Sequence, residues 1–214
     1  MLWQISNIAD AVQIGLAAQV ANDDIEQSVR GIDTLDEVSL HPILHSALRT
    51  AGFGVFPEER FPSDRLKKSR SEGKRCDIVL TPSGRPLASP DSAETLFDPP
   101  DAVNLGDAFW LEVKMTTQFT PEGEPNRRYS AELMAPVRRD VDKLARDPHI
   151  CHAAVLLVLF VADSKVAEHD LRVWQQCCIE RGYPIGSPVN REITISDRIG
   201  HQNAAISLIP VYHL

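Results

Sequence analysis

The feature that most constrains the fold is an uninterrupted apolar run in the second half of the chain, at residues 153–162. The run has ten residues, about half of the roughly 20 that a membrane-spanning helix needs. A strand exposed on one face alternates apolar and polar residues, whereas a strand covered on both faces is apolar throughout. The run therefore predicts a buried central strand with packed layers on both sides.

Helical periodicity surrounds this predicted strand. Apolar residues recur at intervals of three or four in segments that predict four amphipathic helices, at residues 6–21, 36–50, 126–146 and 166–181. Because proline disrupts a helix interior, Pro42 suggests that the second helix begins near His41. Short apolar segments predict strands at residues 53–56, 76–80, 109–115, 192–196 and 204–211. Strands that alternate with helices in this way are typical of an α/β fold, with helices flanking a central mixed sheet.

The length of 214 residues fits one sizeable α/β domain with additions better than two independent domains. We expect residues 1–35 to form an N-terminal helical extension and residues 36–214 to form the main domain. Residues 81–106 are rich in proline, serine, aspartate and glycine. This composition predicts a long surface insertion near the functional site rather than a core element.

The charge distribution contains two basic segments within an acidic chain. The chain has 22 basic and 30 acidic residues and a net charge of −8, which argues against a nonspecific nucleic-acid coat protein. Residues 60–75 carry seven bases against two acids, and residues 127–146 carry six bases against three acids. These two basic segments are consistent with a basic face for nucleic acid, and equally with solvated loops and helix surfaces.

Cysteine usage and the N-terminus favour a cytoplasmic protein. The four cysteines contain no CxxC pair, and the adjacent Cys177 and Cys178 suit buried packing better than a disulfide framework. The first 20 residues lack the basic start of a secretory signal. We therefore expect a reducing, cytoplasmic location and no membrane association.

The most informative segment for chemistry is Trp110-Leu111-Glu112-Val113-Lys114. Alternate side chains of a strand share a face, so we expect Glu112 and Lys114 to point together, opposite to Leu111 and Val113. Charges on an otherwise apolar strand are costly unless they are exposed or used. The segment alone is most typical of a salt bridge on an edge strand, and its context decides whether it carries chemistry.

Acidic residues upstream supply that context. Glu37 lies near the start of a predicted helix, and Asp77 opens the predicted strand that precedes Glu112-x-Lys114. This order of helix, strand and strand, followed by a helix and a buried strand, resembles the PD-(D/E)xK nuclease superfamily, which includes restriction endonucleases and many repair and defence nucleases. The resemblance covers roughly residues 36–161 and implies a restriction-endonuclease-like core.

The resemblance implies a Mg²⁺ site, with Mn²⁺ as a substitute, in which Asp77 and Glu112 are the core metal ligands. It implies that Glu37 adds a further carboxylate, either directly or through a water molecule. It implies that Lys114 positions or helps to deprotonate the attacking water and stabilises the developing negative charge. Gln118 matches a polar residue often found after the motif lysine and is equally typical of an ordinary loop. The implied activity is hydrolysis of DNA phosphodiester bonds in a defence, mobile-element or repair context.

The sequence also departs from the family pattern. Cys76 stands where the family name has proline, and the gap between Asp77 and Glu112 is longer than usual because the insertion lies between them. A long loop costs little additional entropy, so the geometry of the site can survive it. Lys143, in the following predicted helix, is expected to be solvated or to face phosphate rather than to act in catalysis.

Other chemistries find less support. His41 and His45 lack the HExxH pattern of a zinc protease, no glycine-rich phosphate loop is present, and no serine or cysteine carries a nucleophile motif.

Two alternatives to a nuclease stay open. One is a catalytically inactive nucleic-acid- or protein-binding module on the same fold, favoured by the net charge of −8. The other is an unrelated α/β protein in which the Glu-x-Lys motif is coincidental. DNA is the expected partner, through the two basic segments, and a homodimer also stays open.

Overall fold

The computed structural model describes residues 3–65, 74–88 and 99–213. Within these residues the α-helices are α1 (Ile5–Ile25), α2 (Glu37–Thr50), α3 (Pro62–Arg65), α4 (Tyr129–Ala145) and α5 (Ser164–Glu180). The strands are β1 (Gly54–Arg60), β2 (Arg75–Thr81), β3 (Phe109–Thr117), β4 (His152–Val161), β5 (Val189–Thr194) and β6 (Asn203–Val211). Short 3-10 turns lie at Ile32–Thr34 and Pro82–Gly84.

The strands form one mixed sheet in the order β1-β2-β3-β4-β6-β5. β3 and β4 are parallel and are connected through α4, whereas the other neighbouring strands pair antiparallel. One face of the sheet packs against α1 and α2, and the opposite face packs against α4 and α5. The predicted α/β fold, a mixed sheet flanked by helices, is therefore confirmed.

β4 is the central strand, and the residues after His152 are buried to its end. Ala154, Leu156, Val158 and Phe160 belong to the core beside α1 and α2, whereas the alternate residues belong to the core beside α4 and α5. Each large apolar side chain that is fully buried contributes roughly 1.5–3 kcal/mol, so this strand stabilises both layers at once. The prediction of a strand covered on both faces is confirmed.

α1 packs across α2 and against β5 and β6, so this N-terminal helix shares the core of the sheet. Gly15 on α1 lies so close to Ala47 on α2 that a Cβ atom at position 15 would collide with the Cβ of Ala47. Small residues at this crossing let the two helices approach closely. No helix in the described part of the chain combines the length and apolar character needed to cross a membrane.

The start of α2 agrees with the predicted helix at residues 36–50 and differs from the alternative start near His41 that Pro42 suggested. Asp36 is the N-cap, and its Oδ1 accepts a hydrogen bond of 2.7 Å from the backbone N–H of Ser39. This cap satisfies one of the free N–H groups of the first turn, and the helix begins at Glu37 with Pro42 inside it. The expected start near His41 is wrong. Pro42 has no backbone N–H to donate to the carbonyl four positions earlier, at Val38, which is an exposed residue.

The flanks of the predicted insertion are partly built into the fold. Leu87 pairs with Val103 in an isolated bridge, and Val103 is buried in the core beside α4. The expectation of a surface segment is therefore wrong at Val103, because an apolar side chain beside the sheet is more stable inside the core than in water. Residues 89–98 of this insertion, and residues 66–73 of the first basic segment, lie outside the described residues.

Candidate functional site

Asp77 and Glu112 meet at the point where β2 and β3 stop pairing. The antiparallel register pairs Ile78 with Leu111, and one further step places Asp77 opposite Glu112. There the backbone N–H of Val113 donates to Asp77 Oδ2 at 2.7 Å. A carboxylate side chain thus takes the place of a strand-to-strand backbone bond and is fixed beside Glu112.

The Glu112 and Lys114 side chains leave β3 on its α4 side. Leu111 and Val113 belong to the opposite core, beside α1 and α2, as strand alternation predicts. The alternative of an edge-strand salt bridge is wrong, because β3 lies between β2 and β4. Glu112 and Lys114 each pair with charged residues of other elements, so the tripeptide is part of a larger charge network.

Glu112 is only 1% exposed, and its Oε1 lies 2.6 Å from Nζ of Lys143 on α4. Burial raises the pKa of Glu112 to about 8, and the negative charge of Asp77 contributes to the rise. The nearby Lys143 ammonium opposes that rise without cancelling it. Ionised Glu112 is therefore strongly stabilised by a positive charge placed beside it.

Lys114 occupies the centre of a second group of contacts. Its Nζ donates to Glu37 Oε1 at 2.9 Å and to the Val113 carbonyl at 2.9 Å, and lies 3.4 Å from Asp140 Oδ2. Burial alone lowers the pKa of Lys114, but the bond to Glu37 and the charges of Asp140, Glu37 and Asp77 together raise it above its ordinary value. The side chain is thus held as a charged ammonium with a defined direction.

Glu37 reaches this group from the first turn of α2. Its Oε2 accepts a hydrogen bond of 3.3 Å from the backbone N–H of Met115, and its Oε1 accepts from Lys114. An acidic side chain is favoured in the first turn of a helix by the helix dipole. The described contacts join Glu37 to Lys114 and to the β3 backbone, whereas Asp77 and Glu112 face one another across the strands.

Two residues of α4 belong to the network, although the sequence analysis did not place either of them in the site. Asp140 and Lys143 lie three positions apart, on one face of the helix. Lys143 Nζ also donates to the Arg75 carbonyl at 2.9 Å and lies 5.0 Å from the centre of the Phe61 ring. The expectation of a solvated Lys143 is wrong, because its side chain is only 19% exposed and pairs with Glu112. The sequence feature that could have identified these two residues is their Asp-x-x-Lys spacing beside the apolar stripe of α4.

Gln118 lies just after β3 and is hydrogen-bonded to the backbone at the end of β4. Its Oε1 accepts a hydrogen bond of 2.8 Å from the backbone N–H of Ala162, and its backbone N–H donates to Phe160. These bonds tie the end of β3 to the end of β4. Among the described contacts, none joins Gln118 to the carboxylates or lysines of the network.

Cys76 lies directly beside the carboxylates and is fully buried. Its Sγ lies 3.4 Å from the Leu111 carbonyl. Burial, together with the charges of Glu112 and Asp77, raises the pKa of this thiol well above its ordinary value. Cys76 therefore stays a neutral thiol that fills space between the strands, which excludes it as a nucleophile.

The chemistry of the donors suits a hard divalent cation. Within the described residues, no three histidine, cysteine or acidic side chains are gathered in a geometry that would hold a metal ion. Mg²⁺, however, is commonly bound by one or two carboxylates with waters in its other positions. Asp77 and Glu112 supply such a pair, and Glu112 Oε1 is a buried oxygen that lies 2.6 Å from a positive charge. The pair fits a divalent cation, and the Glu37 carboxylate contacts Lys114 and the Met115 backbone N–H.

The two basic segments are only partly turned toward solvent. In the first, Arg75 is exposed and its Nη1 donates to the Glu58 carbonyl at 2.8 Å. In the second, Lys143 points into the charge network, whereas Arg146 is exposed and pairs loosely with Asp142 at 3.9 Å. One base of the second segment is therefore used inside the protein rather than at its surface.

Comparisons with known proteins identify no relative of this chain. The chain matches no protein-family model, no curated protein and no solved structure. The functional argument therefore depends on the residues of the chain itself.

Proposed function

We propose that this chain is a metal-dependent nuclease of the PD-(D/E)xK type, which hydrolyses DNA phosphodiester bonds on a restriction-endonuclease-like core. The observation that carries the proposal is the pair of carboxylates at adjacent strands, Asp77 and Glu112, with Lys114 on the same face of β3. Charged groups at the end of a buried strand are costly and are characteristic of functional sites. The element order of β2, β3, α4 and β4 agrees with that of the resembled core.

Asp77 and Glu112 would hold Mg²⁺, or Mn²⁺ in its place. The cation supplies Lewis-acid activation of water and neutralises charge on the phosphate. The repulsion between the two carboxylates, which raises the pKa of Glu112, supports this assignment because a divalent cation relieves it. Glu37 contributes through Lys114 and the β3 backbone.

Lys114 stabilises negative charge at the reacting phosphate. An ammonium group has three donors, and its contacts with Glu37, Asp140 and the Val113 carbonyl favour the charged form. A charged lysine cannot accept a proton from water, so its contribution is electrostatic. Glu37 and Asp140 are positioning residues that set the direction of the Lys114 side chain.

A second candidate function is a catalytically inactive binding module for nucleic acid or protein on the same fold. The observation that favours it is that acidic side chains of the network pair with lysines: Glu112 with Lys143, and Glu37 and Asp140 with Lys114. The lysine ammonium groups of this network balance the carboxylate charges without a metal ion. The net charge of −8 also weakens binding to a polyanion.

Cleavage by the purified chain distinguishes the two functions. Supercoiled plasmid, linear duplex, single-stranded DNA and RNA are incubated with Mg²⁺, with Mn²⁺ or with EDTA. The nuclease proposal expects metal-dependent cleavage of DNA that EDTA abolishes. The matched control is the Asp77→Asn/Glu112→Gln variant, purified in the same way, because residual cleavage there identifies a contaminant. Binding of DNA with no cleavage under any of these metals supports the inactive module.

A further inference from the structure

The ammonium group of Lys143 occupies the side of Glu112 that faces α4. Three groups hold it there: Glu112 Oε1 at 2.6 Å, the Arg75 carbonyl at 2.9 Å and the face of the Phe61 ring at 5.0 Å. The first belongs to a carboxyl group that is almost completely removed from water. A buried carboxylate of this kind is stable only beside a positive charge.

The contact between the two groups is dominated by charge, because a buried carboxyl oxygen of Glu112 lies 2.6 Å from the Lys143 ammonium nitrogen. A cation without directional preference could take the same place. The carbonyl of Arg75, which also faces this place, is a hard oxygen donor of the type that divalent cations accept.

The two lysines of the network are attached differently. Lys114 extends from the same strand as Glu112 and has contacts with α2, α4 and its own backbone. Lys143 extends from α4 on a flexible four-carbon stem and has its charged contact with Glu112. Of these two, Lys143 can leave the carboxylate without disturbing β3.

We infer that Lys143 is a built-in substitute for the divalent cation at Glu112, and that cation binding displaces the Lys143 ammonium from this carboxylate. The inference rests on the proposed function, since it takes Glu112 as a cation ligand. It adds a residue of α4 to the site and assigns it a role opposite to that of Lys114. Lys143 competes with the cation, whereas Lys114 acts beside it.

Calorimetric titration with Ca²⁺ at pH 8.5 tests the competition on the full-length chain. Lys143→Met removes the charge and keeps the length of the side chain against Phe61. We expect this variant to bind Ca²⁺ on the order of tenfold more tightly, because no buried ion pair has to be broken. The matched control is Arg146→Met, which removes an exposed charge from the same helix and should change the affinity by less than about twofold.

The outcomes separate this inference from the proposed function. Equal or weaker binding by folded Lys143→Met, with binding by the wild type, overturns the role of Lys143 and leaves the metal site standing. No Ca²⁺ binding by the wild type or by the variant overturns both. Circular dichroism verifies that each variant is folded.

A labelling experiment on the wild type gives an answer even if Lys143→Met fails to fold. Lysines are acetylated with an N-hydroxysuccinimide ester, and the modified peptides are quantified by mass spectrometry with and without saturating Ca²⁺. We expect Ca²⁺ to increase the labelling rate of Lys143 several-fold, because the displaced ammonium reaches solvent. The exposed Lys165 is the internal reference. An unchanged or lower rate at Lys143 with Ca²⁺ bound overturns the inference.

Discussion

Glu112 Oε1 lies 2.6 Å from Lys143 Nζ, and this contact ties the buried end of β3 to α4. It connects the acidic residues of two neighbouring strands to a helix that the sequence suggested as a basic, nucleic-acid-facing segment. The consequence is that charge at the candidate site is balanced by residues from three elements: β3, α4 and α2. A substitution of a charged residue in any one of these elements should therefore have a measurable effect on the charged residues of the others.

Lys114→Ala is expected to reduce cleavage by about 10²–10³-fold, because a placed positive charge is lost from the transition state. Affinity for DNA should change little, since one lysine among several bases contributes a small part of phosphate binding. Lys114→Arg should restore little activity, because a planar guanidinium does not replace a compact ammonium. Single-turnover cleavage with salt-titrated binding measures both effects.

The control for this variant is Lys165→Ala on the exposed start of α5. It removes the same charge away from the network and should cleave at the wild-type rate. Wild-type cleavage by Lys114→Ala at saturating Mg²⁺ would remove Lys114 from the mechanism.

The Asp77→Ala/Glu112→Ala double variant is expected to lose Mn²⁺ binding. The two carboxylates are the oxygen donors that face one another between β2 and β3, and waters cannot replace both charges. Isothermal calorimetry measures the affinity of wild type and variant. We also expect Ca²⁺ to occupy the wild-type site without supporting cleavage.

A matched control replaces two exposed acids, Glu122 and Glu124, by alanine. This control keeps the same loss of negative charge and should bind Mn²⁺ as the wild type does. Equal Mn²⁺ affinity in the wild type and in the Asp77/Glu112 variant would refute the assignment of the metal ligands.

Glu112 should make the metal-free protein less stable as the pH rises. Its pKa is about 8 in the folded chain, compared with an ordinary value of 4.5. Between these values the folded chain holds a proton that the unfolded chain has released, so stability is lost as the pH rises through this window. The full loss is roughly 3–5 kcal/mol.

Glu112→Gln tests this pH dependence because glutamine resembles the protonated acid in shape and charge. We expect the variant and the wild type to unfold at similar denaturant concentrations at pH 5, and the variant to be the more stable of the two at pH 9. Glu122→Gln is the control for loss of an exposed carboxylate. Parallel pH profiles of stability for wild type and Glu112→Gln would contradict the raised pKa.

Glu58→Gly is expected to stabilise the fold by about 0.5–1 kcal/mol. Glu58 lies in β1 with a φ of 55°, a left-handed conformation that costs a non-glycine residue roughly 1–2 kcal/mol and glycine little. The flanking residues Pro57 and Glu59 pair normally with β2. Urea denaturation of wild type and variant measures the free energy of unfolding.

The neighbouring substitution Glu59→Gly is the control. Glu59 has no positive φ, so glycine there should destabilise the strand by roughly 0.5–1 kcal/mol through its greater freedom in the unfolded chain. If both substitutions destabilise the protein equally, the backbone at Glu58 is not strained.

Much of the fold could be predicted because its signals are local. The apolar run that forms β4 identified a strand covered on both faces, and strand alternation placed Glu112 and Lys114 opposite to Leu111 and Val113. The boundaries were less certain: α2 begins at Glu37 because Asp36 caps it, and this cap outweighs Pro42. The cap at Asp36 favours a helix start at Glu37, whereas Pro42 favours a later start. Which effect prevails depends on the surroundings of the first turns, which the sequence does not show.

The sequence by itself determined the types of element, the alternation of the β3 side chains and the presence of acidic residues at Glu37, Asp77 and Glu112. Only the tertiary structure decided that Asp77 and Glu112 face one another and that Lys143 neutralises Glu112. The physical reason is that periodicity depends on neighbours within a few residues, whereas a charge pair between β3 and α4 depends on how the helix packs on the sheet. That packing is set by the apolar stripe of α4, which brings Asp140 and Lys143 to the carboxylates.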